Sequence, residues 1–155
     1  MNESMLILMA DDDKDDQLLA RDALLEGNVR NEIRFVQDGV ELLEYLRGEG
    51  KFAGDNPWPG IILLDLNMPR MDGREVLNEI KKDPCLRRIP VVILTTSKAE
   101  EDMLKGYELG AASYFTKPVT FQGLVELMSA LGKYWIEFVE IPKHSTAQNL
   151  LRDSP

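Results

Sequence analysis

Five short, almost wholly apolar runs alternate along this chain with stretches in which apolar residues return every three or four positions. Few folds accept that rhythm. The runs cover residues 5–10, 32–36, 61–64, 91–94 and 112–116, and each reads as a strand. The intervening stretches read as helices over 14–27, 39–47, 74–82, 98–109 and 120 to about 138. Gly27-Asn28 and Gly110 supply stop signals, and a Gly- and Pro-rich loop spans 48–59. Strands that are apolar throughout imply a sheet covered on both faces, and right-handed crossovers place helices on both sides. The expected architecture is α/β, a doubly wound (βα)5 unit on a parallel sheet. Residues 1–142 form one domain ending in a long last helix, with a flexible tail over 143–155.

Composition narrows the function classes. A net charge of −9 over 155 residues disfavours nucleic acid and anionic membranes, both of which need basic patches. No apolar run approaches the length of a membrane span, and no export leader is recognisable, so a cytoplasmic location is expected. Cys85 and His144 are single residues of their kinds, which leaves no disulfide framework and no thiolate or imidazole metal cluster.

In open α/β sheets ligands sit at the carboxyl ends of the strands. Four strand ends carry reactive groups: Asp11, Asp12 and Asp13 after the first, Asp65 after the third, Thr95 and Thr96 after the fourth, Lys117 and Pro118 after the fifth. Taken alone, the acidic run 11–16 marks a solvated turn or helix cap. Asp65 is harder to dismiss, since it directly follows four apolar residues and a buried, unpaired carboxylate is costly. Carboxylates crowded at one sheet edge repel one another, and Mg²⁺, which prefers carboxylate oxygens and water, relieves that repulsion. Phosphoryl transfer to a carboxylate needs that cation, an ammonium group and a hydroxyl to hold the phosphoryl oxygens. Lys117 and Thr95 fit the last two needs.

The segments Leu8-Met-Ala-Asp11-Asp12-Asp13, Leu63-Leu-Asp65-Leu-Asn67-Met-Pro69-Arg-Met-Asp72-Gly73, Pro90-Val-Val-Ile-Leu-Thr95 and Gly110-Ala-Ala-Ser-Tyr114-Phe-Thr-Lys117-Pro118 together resemble the receiver domains of two-component response regulators. The match runs from about Leu6 to Leu131. The resemblance implies a flavodoxin-like fold with strand order 2-1-3-4-5. It implies Asp65 as phosphoacceptor, with Asp12, Asp65 and the Asn67 backbone carbonyl as Mg²⁺ ligands and Asp11 acting through water. Lys117 would pair with the phosphoryl oxygens, Thr95 would bond the phosphoryl group, and Tyr114 would turn inward as Thr95 moves. The Lys117–Pro118 peptide is expected to be cis, and Asp72-Gly73 to be a turn and cap. The implied donor is a histidine kinase, and the protein would catalyse only its own phosphorylation and dephosphorylation.

Two departures from the family pattern stand out. Lys14 occupies a position that is often proline, and Thr96 one that is usually small, where its bulk is expected to slow water attack on the phosphoryl group. Stand-alone regulators of bacterial phytochrome kinases are the resembling subgroup, on the 48–59 loop and the Trp-containing extension. Trp58 in that loop reads either as a kinase contact or as folded onto its own domain. Tyr134, Trp135, Phe138 and Val139 prolong the apolar stripe of the last helix, and a homodimer through that helix is expected. A dehalogenase-type phosphatase would need a second Asp where Asn67 stands. A calcium loop fails at Asp16 and Asp22, and a dinucleotide site fails for want of a glycine-rich turn after the first strand. A phosphorylation-independent adaptor of the same fold remains the rival.

Overall fold

The computed structural model describes residues 5–96, 98–101 and 110–133. Five parallel strands form one sheet in the order β2-β1-β3-β4-β5. They are β1 (Leu6–Ala10), β2 (Ile33–Val36), β3 (Pro59–Asp65), β4 (Val91–Thr95) and β5 (Ser113–Thr116). The helices are α1 (Lys14–Glu26), α2 (Gly39–Arg47), α3 (Gly73–Lys82), α4 (helical at 98–101) and α5 (Phe121–Leu131).

Alternate strand residues point to opposite faces, so each apolar strand feeds two cores. Leu8, Ile62, Leu64, Val91 and Ile93 pack beneath α2 and α3 with Leu42, Leu46, Val76, Leu77 and Ile80. Ile7, Met9, Ile61, Leu63, Val92 and Leu94 pack beneath α1 and α5 with Ala20, Ala23, Leu24, Val125 and Met128. Burying each Leu, Ile or Val side chain contributes about 1.5–3 kcal/mol, and this double layer holds the central strands rigid. Strand order reverses between β1 and β3, which places their carboxyl ends side by side.

Local chemistry sets the helix starts. Asp13 caps α1 by accepting from the amides of Asp15 and Asp16. Asp38 caps α2 and Asp72 caps α3, the latter as expected of a turn and cap. The β3–α3 connection is clamped to α2: the Gly39 amide donates to the Met71 carbonyl at 3.1 Å, and Arg70 grips Asp38 through two hydrogen bonds of 2.8 and 3.1 Å. Gly39 is needed there because a Cβ would stand 2.3 Å from the Met71 carbonyl oxygen.

Loop 48–58 holds a short 3-10 turn, Gly50–Phe52, with Phe52 edge-on to Tyr45. The Tyr45 hydroxyl donates to the Pro57 carbonyl at 2.7 Å, and Trp58 packs half-buried against the α2–α3 core. Of the two readings of Trp58, the structure has it folded onto its own domain. The peptide before Pro118 is trans, correcting the expected cis bond. Trans is the lower-energy form of an X–Pro bond, and Val119 beyond it is fully exposed. α5 runs to Leu131 and passes into π-type, i→i+5 geometry at 132–133. The expected continuation to 138 and the tail over 143–155 lie outside the described residues.

Candidate functional site

At the carboxyl edge of the sheet, β1 delivers Asp11, β3 delivers Asp65, and Lys117 follows β5. Asp11 is fully buried and Asp65 is 7% exposed, whereas Asp12 faces solvent. The Lys117 ammonium donates to Asp11 Oδ2 at 2.8 Å, to Asp16 Oδ2 at 3.2 Å and to Asp65 Oδ2 at 3.5 Å. One cation thus serves three carboxylates, two from the β1–α1 segment and one from the end of β3. The Asp13 amide donates to Asp11 Oδ1 at 3.0 Å and fixes that carboxylate from behind.

Electrostatics follow from this crowding. Burial pushes the Asp65 carboxyl up to about 6, with the Asp11 charge adding to the rise and Lys117 opposing it. Burial raises Asp11 as well, against the hydrogen bond from Lys117. For Lys117, burial disfavours the ammonium, but the bond to Asp11 and the charges of Asp65, Asp11 and Asp16 outweigh it and hold the group protonated. The basin has more negative charge than one lysine can offset.

That excess suits a hard cation. One carboxylate oxygen each from Asp11, Asp12 and Asp65 lie within 4.8 Å of one another, and the donors are all oxygen. The Asn67 amide N–H points back to Asp65 Oδ1 at 3.4 Å, so the backbone of residue 67 lies beside the cluster. The donor set fits a Mg²⁺-sized ion.

Thr95 ends β4, fully buried, and its carbonyl accepts from the Lys117 amide at 2.6 Å, which ties the β4 and β5 ends together. Its hydroxyl donates to Glu100 rather than into the acidic basin. Tyr114, paired with Ile93 in the sheet register, lies half-buried against the α2–α3 core. Thr96 is exposed immediately beyond β4.

The model for the response regulator receiver domain matches residues 7–129 of this chain. The chain belongs to the response-regulator receiver family. Response regulator Rcp1 of Synechocystis sp. is 39% identical over 141 residues, covering 91% of this chain and 95% of that protein. The crystal structure of the phosphorylated cyanobacterial phytochrome response regulator RcpA superposes with a TM-score of 0.81 at 40% identity, covering 90% of this chain and 99% of that one. The Mn²⁺-bound form of Rcp1 gives 0.78 at 39% identity, covering 89% and 99%. Receiver domains bind a divalent metal, and the Asp11-Asp12-Asp65 cluster of this receiver domain can hold one. Receiver-domain regulators are in general signalling proteins rather than enzymes. No helix among the described residues is long and apolar enough to cross a membrane.

Three contributors escaped the sequence reading. Asp16 hides within an acidic run that reads as a cap, although it shares Lys117. Glu100 sits in a charged helical stretch, with nothing to separate it from a solvated face. The Arg70–Asp38 clamp joins residues 32 apart, and only the contiguity of Asp72-Gly73 hinted at an ordered connection.

Proposed function

We propose that this receiver domain accepts a phosphoryl group from a histidine kinase on Asp65 and changes conformation to bind partners. The observation that carries the reading is the Asp65 carboxylate at the end of the central strand, within 3.5 Å of the Lys117 ammonium and beside Asp11 and Asp12. A carboxylate oxygen of Asp65 attacks phosphorus in line, and the bond to the donor nitrogen breaks. Lys117 and the Thr95 hydroxyl hold phosphoryl oxygens. Asp12, Asp65 and the Asn67 carbonyl would hold Mg²⁺, with Asp11 through water. When bound, the ion neutralises the charge that develops on the phosphoryl oxygens. Asp11 keeps Lys117 aimed at the acceptor, and Asp65 must be unprotonated to attack.

The same arrangement speaks for catalysis limited to the protein's own phosphorylation and dephosphorylation. Asn67 lacks the acid that a phosphatase would place there. Likeness to RcpA and Rcp1 favours a phytochrome-type kinase as donor. Homodimerisation through the apolar stretch that follows α5 in the sequence, and a cytoplasmic location, complete the reading.

The test is intact-protein mass after incubation with Mg²⁺ and acetyl phosphate. A gain of one phosphoryl group is expected in the wild type, lost without Mg²⁺ and lost in Asp65→Asn. No gain with several small donors would replace this reading by the phosphorylation-independent adaptor.

A further inference from the structure

One carboxylate stands where the described site meets α4. The Thr95 hydroxyl donates to Glu100 Oε1, and the Asn67 side-chain amide reaches the same oxygen at 3.5 Å. The other oxygen, Oε2, lies 3.7 Å from Arg74 on α3. The next residue anchors this turn. Glu101 is 5% exposed and accepts from the Thr116 hydroxyl at the end of β5, with Lys98 at 3.6 Å. Consecutive helical residues point about 100° apart. Glu101 therefore fixes the start of α4 to β5 while Glu100 faces the β4 end and the β3–α3 connection.

We infer that Glu100 is a positioning residue that holds the Thr95 hydroxyl in the unphosphorylated state and competes for it with the phosphoryl group. The inference rests on Asp65 being the acceptor. A hydroxyl has one proton to donate, so Thr95 cannot bond Glu100 and a phosphoryl oxygen together. Hydrogen bonds to a charged acceptor are about twice as strong as neutral ones, which makes Glu100 a serious competitor. An arriving phosphoryl group is anionic and repels the Glu100 carboxylate. Arg74 is already in reach to receive the displaced carboxylate, across the mouth of the site. Glu100 thus sets how far the resting population lies from the phosphorylated one, and couples the Thr95 hydroxyl to the first turn of α4.

The test measures beryllofluoride affinity by calorimetry at saturating Mg²⁺ in the full chain, this anion standing in for the phosphoryl group. Glu100→Gln keeps the side-chain shape and removes the charge. About tenfold tighter binding is expected, the size of a charge-assisted bond weakened to a neutral one. In a Thr95→Val background the same change should tighten binding by no more than about twofold, since coupling requires both partners. A merely structural role would alter thermal stability without this Thr95 dependence. Unchanged affinity, or equal tightening in both backgrounds, overturns the inference and leaves Asp65 as acceptor. A wild type that neither takes up beryllofluoride nor gains mass from acetyl phosphate overturns both readings together.

Discussion

The Asp65 carboxyl, raised by burial to about 6 from 3.8, keeps its proton in the folded state over a pH window in which the unfolded chain releases it. The folded state binds more protons there, so the metal-free protein loses this contribution as pH rises from about 4 to above 6. The shift of about two units corresponds to about 3 kcal/mol. Asp65→Asn carries no such charge. In metal-free urea titrations its stability relative to wild type should rise by up to about 3 kcal/mol between pH 4 and pH 7.5; a constant difference would contradict the electrostatic account. Mg²⁺ held by Asp65 would have to displace the same proton, so Mg²⁺ affinity should fall steeply below pH 6, which calorimetry at pH 5 and 7.5 would reveal. With Asp65 as the acceptor, Thr96, exposed beside the β4 end, would set the product's lifetime. Thr96→Ala should speed loss of the phosphoryl group several-fold, about 1 kcal/mol in barrier, as followed by mass over time. An unchanged decay would remove Thr96 from the hydrolytic path.

The β3–α3 connection carries Asn67 and depends on contact with α2 rather than on its own sequence. Gly39→Ala would force a Cβ to within 2.3 Å of the Met71 carbonyl, so the connection must shift. A loss of about 1–3 kcal/mol is expected in thermal or urea unfolding, typical of overpacking. Wild-type stability in that variant would show that the clamp yields freely. At this scale the sequence was most legible where burial was complete. β1, β3 and β4 lie within two residues of their expected bounds, because runs such as Ile61-Ile-Leu-Leu64 admit few other structures once helical segments flank them. Asp11, Asp65 and Lys117, expected together from their places at strand ends, do meet there, while the Thr95 hydroxyl turns to Glu100. Asp16 and Glu100 were not expected, since their roles depend on which way a helix presents them, and polar residues on a helix carry no mark of their partners. The geometry of the Lys117–Pro118 bond was read from likeness and not from chemistry, and there the reading failed.

For the whole molecule, the apolar stripe continues in sequence beyond α5 through Trp135 and Phe138. If that stretch joins two copies, Trp135→Ala or truncation after Gly132 should lower the sedimentation mass to that of a monomer, with the sheet and its site intact by acetyl-phosphate labelling. A mass that is monomeric in the wild type would discard the dimer. The sharing of Lys117 among Asp11, Asp16 and Asp65 has a broader consequence. Asp12 adds a fourth carboxylate beside the three that share the ammonium, and any phosphoryl donor that approaches is itself an anion. On the proposed function, a basin so unbalanced would turn a phosphoryl donor away until a divalent ion has entered. With Asp65 as the acceptor of the proposed function, the protein would behave as a coincidence detector, with kinase activity as one input and free Mg²⁺ as a silent second. A cell starved of the ion would go deaf to the kinase without losing either protein.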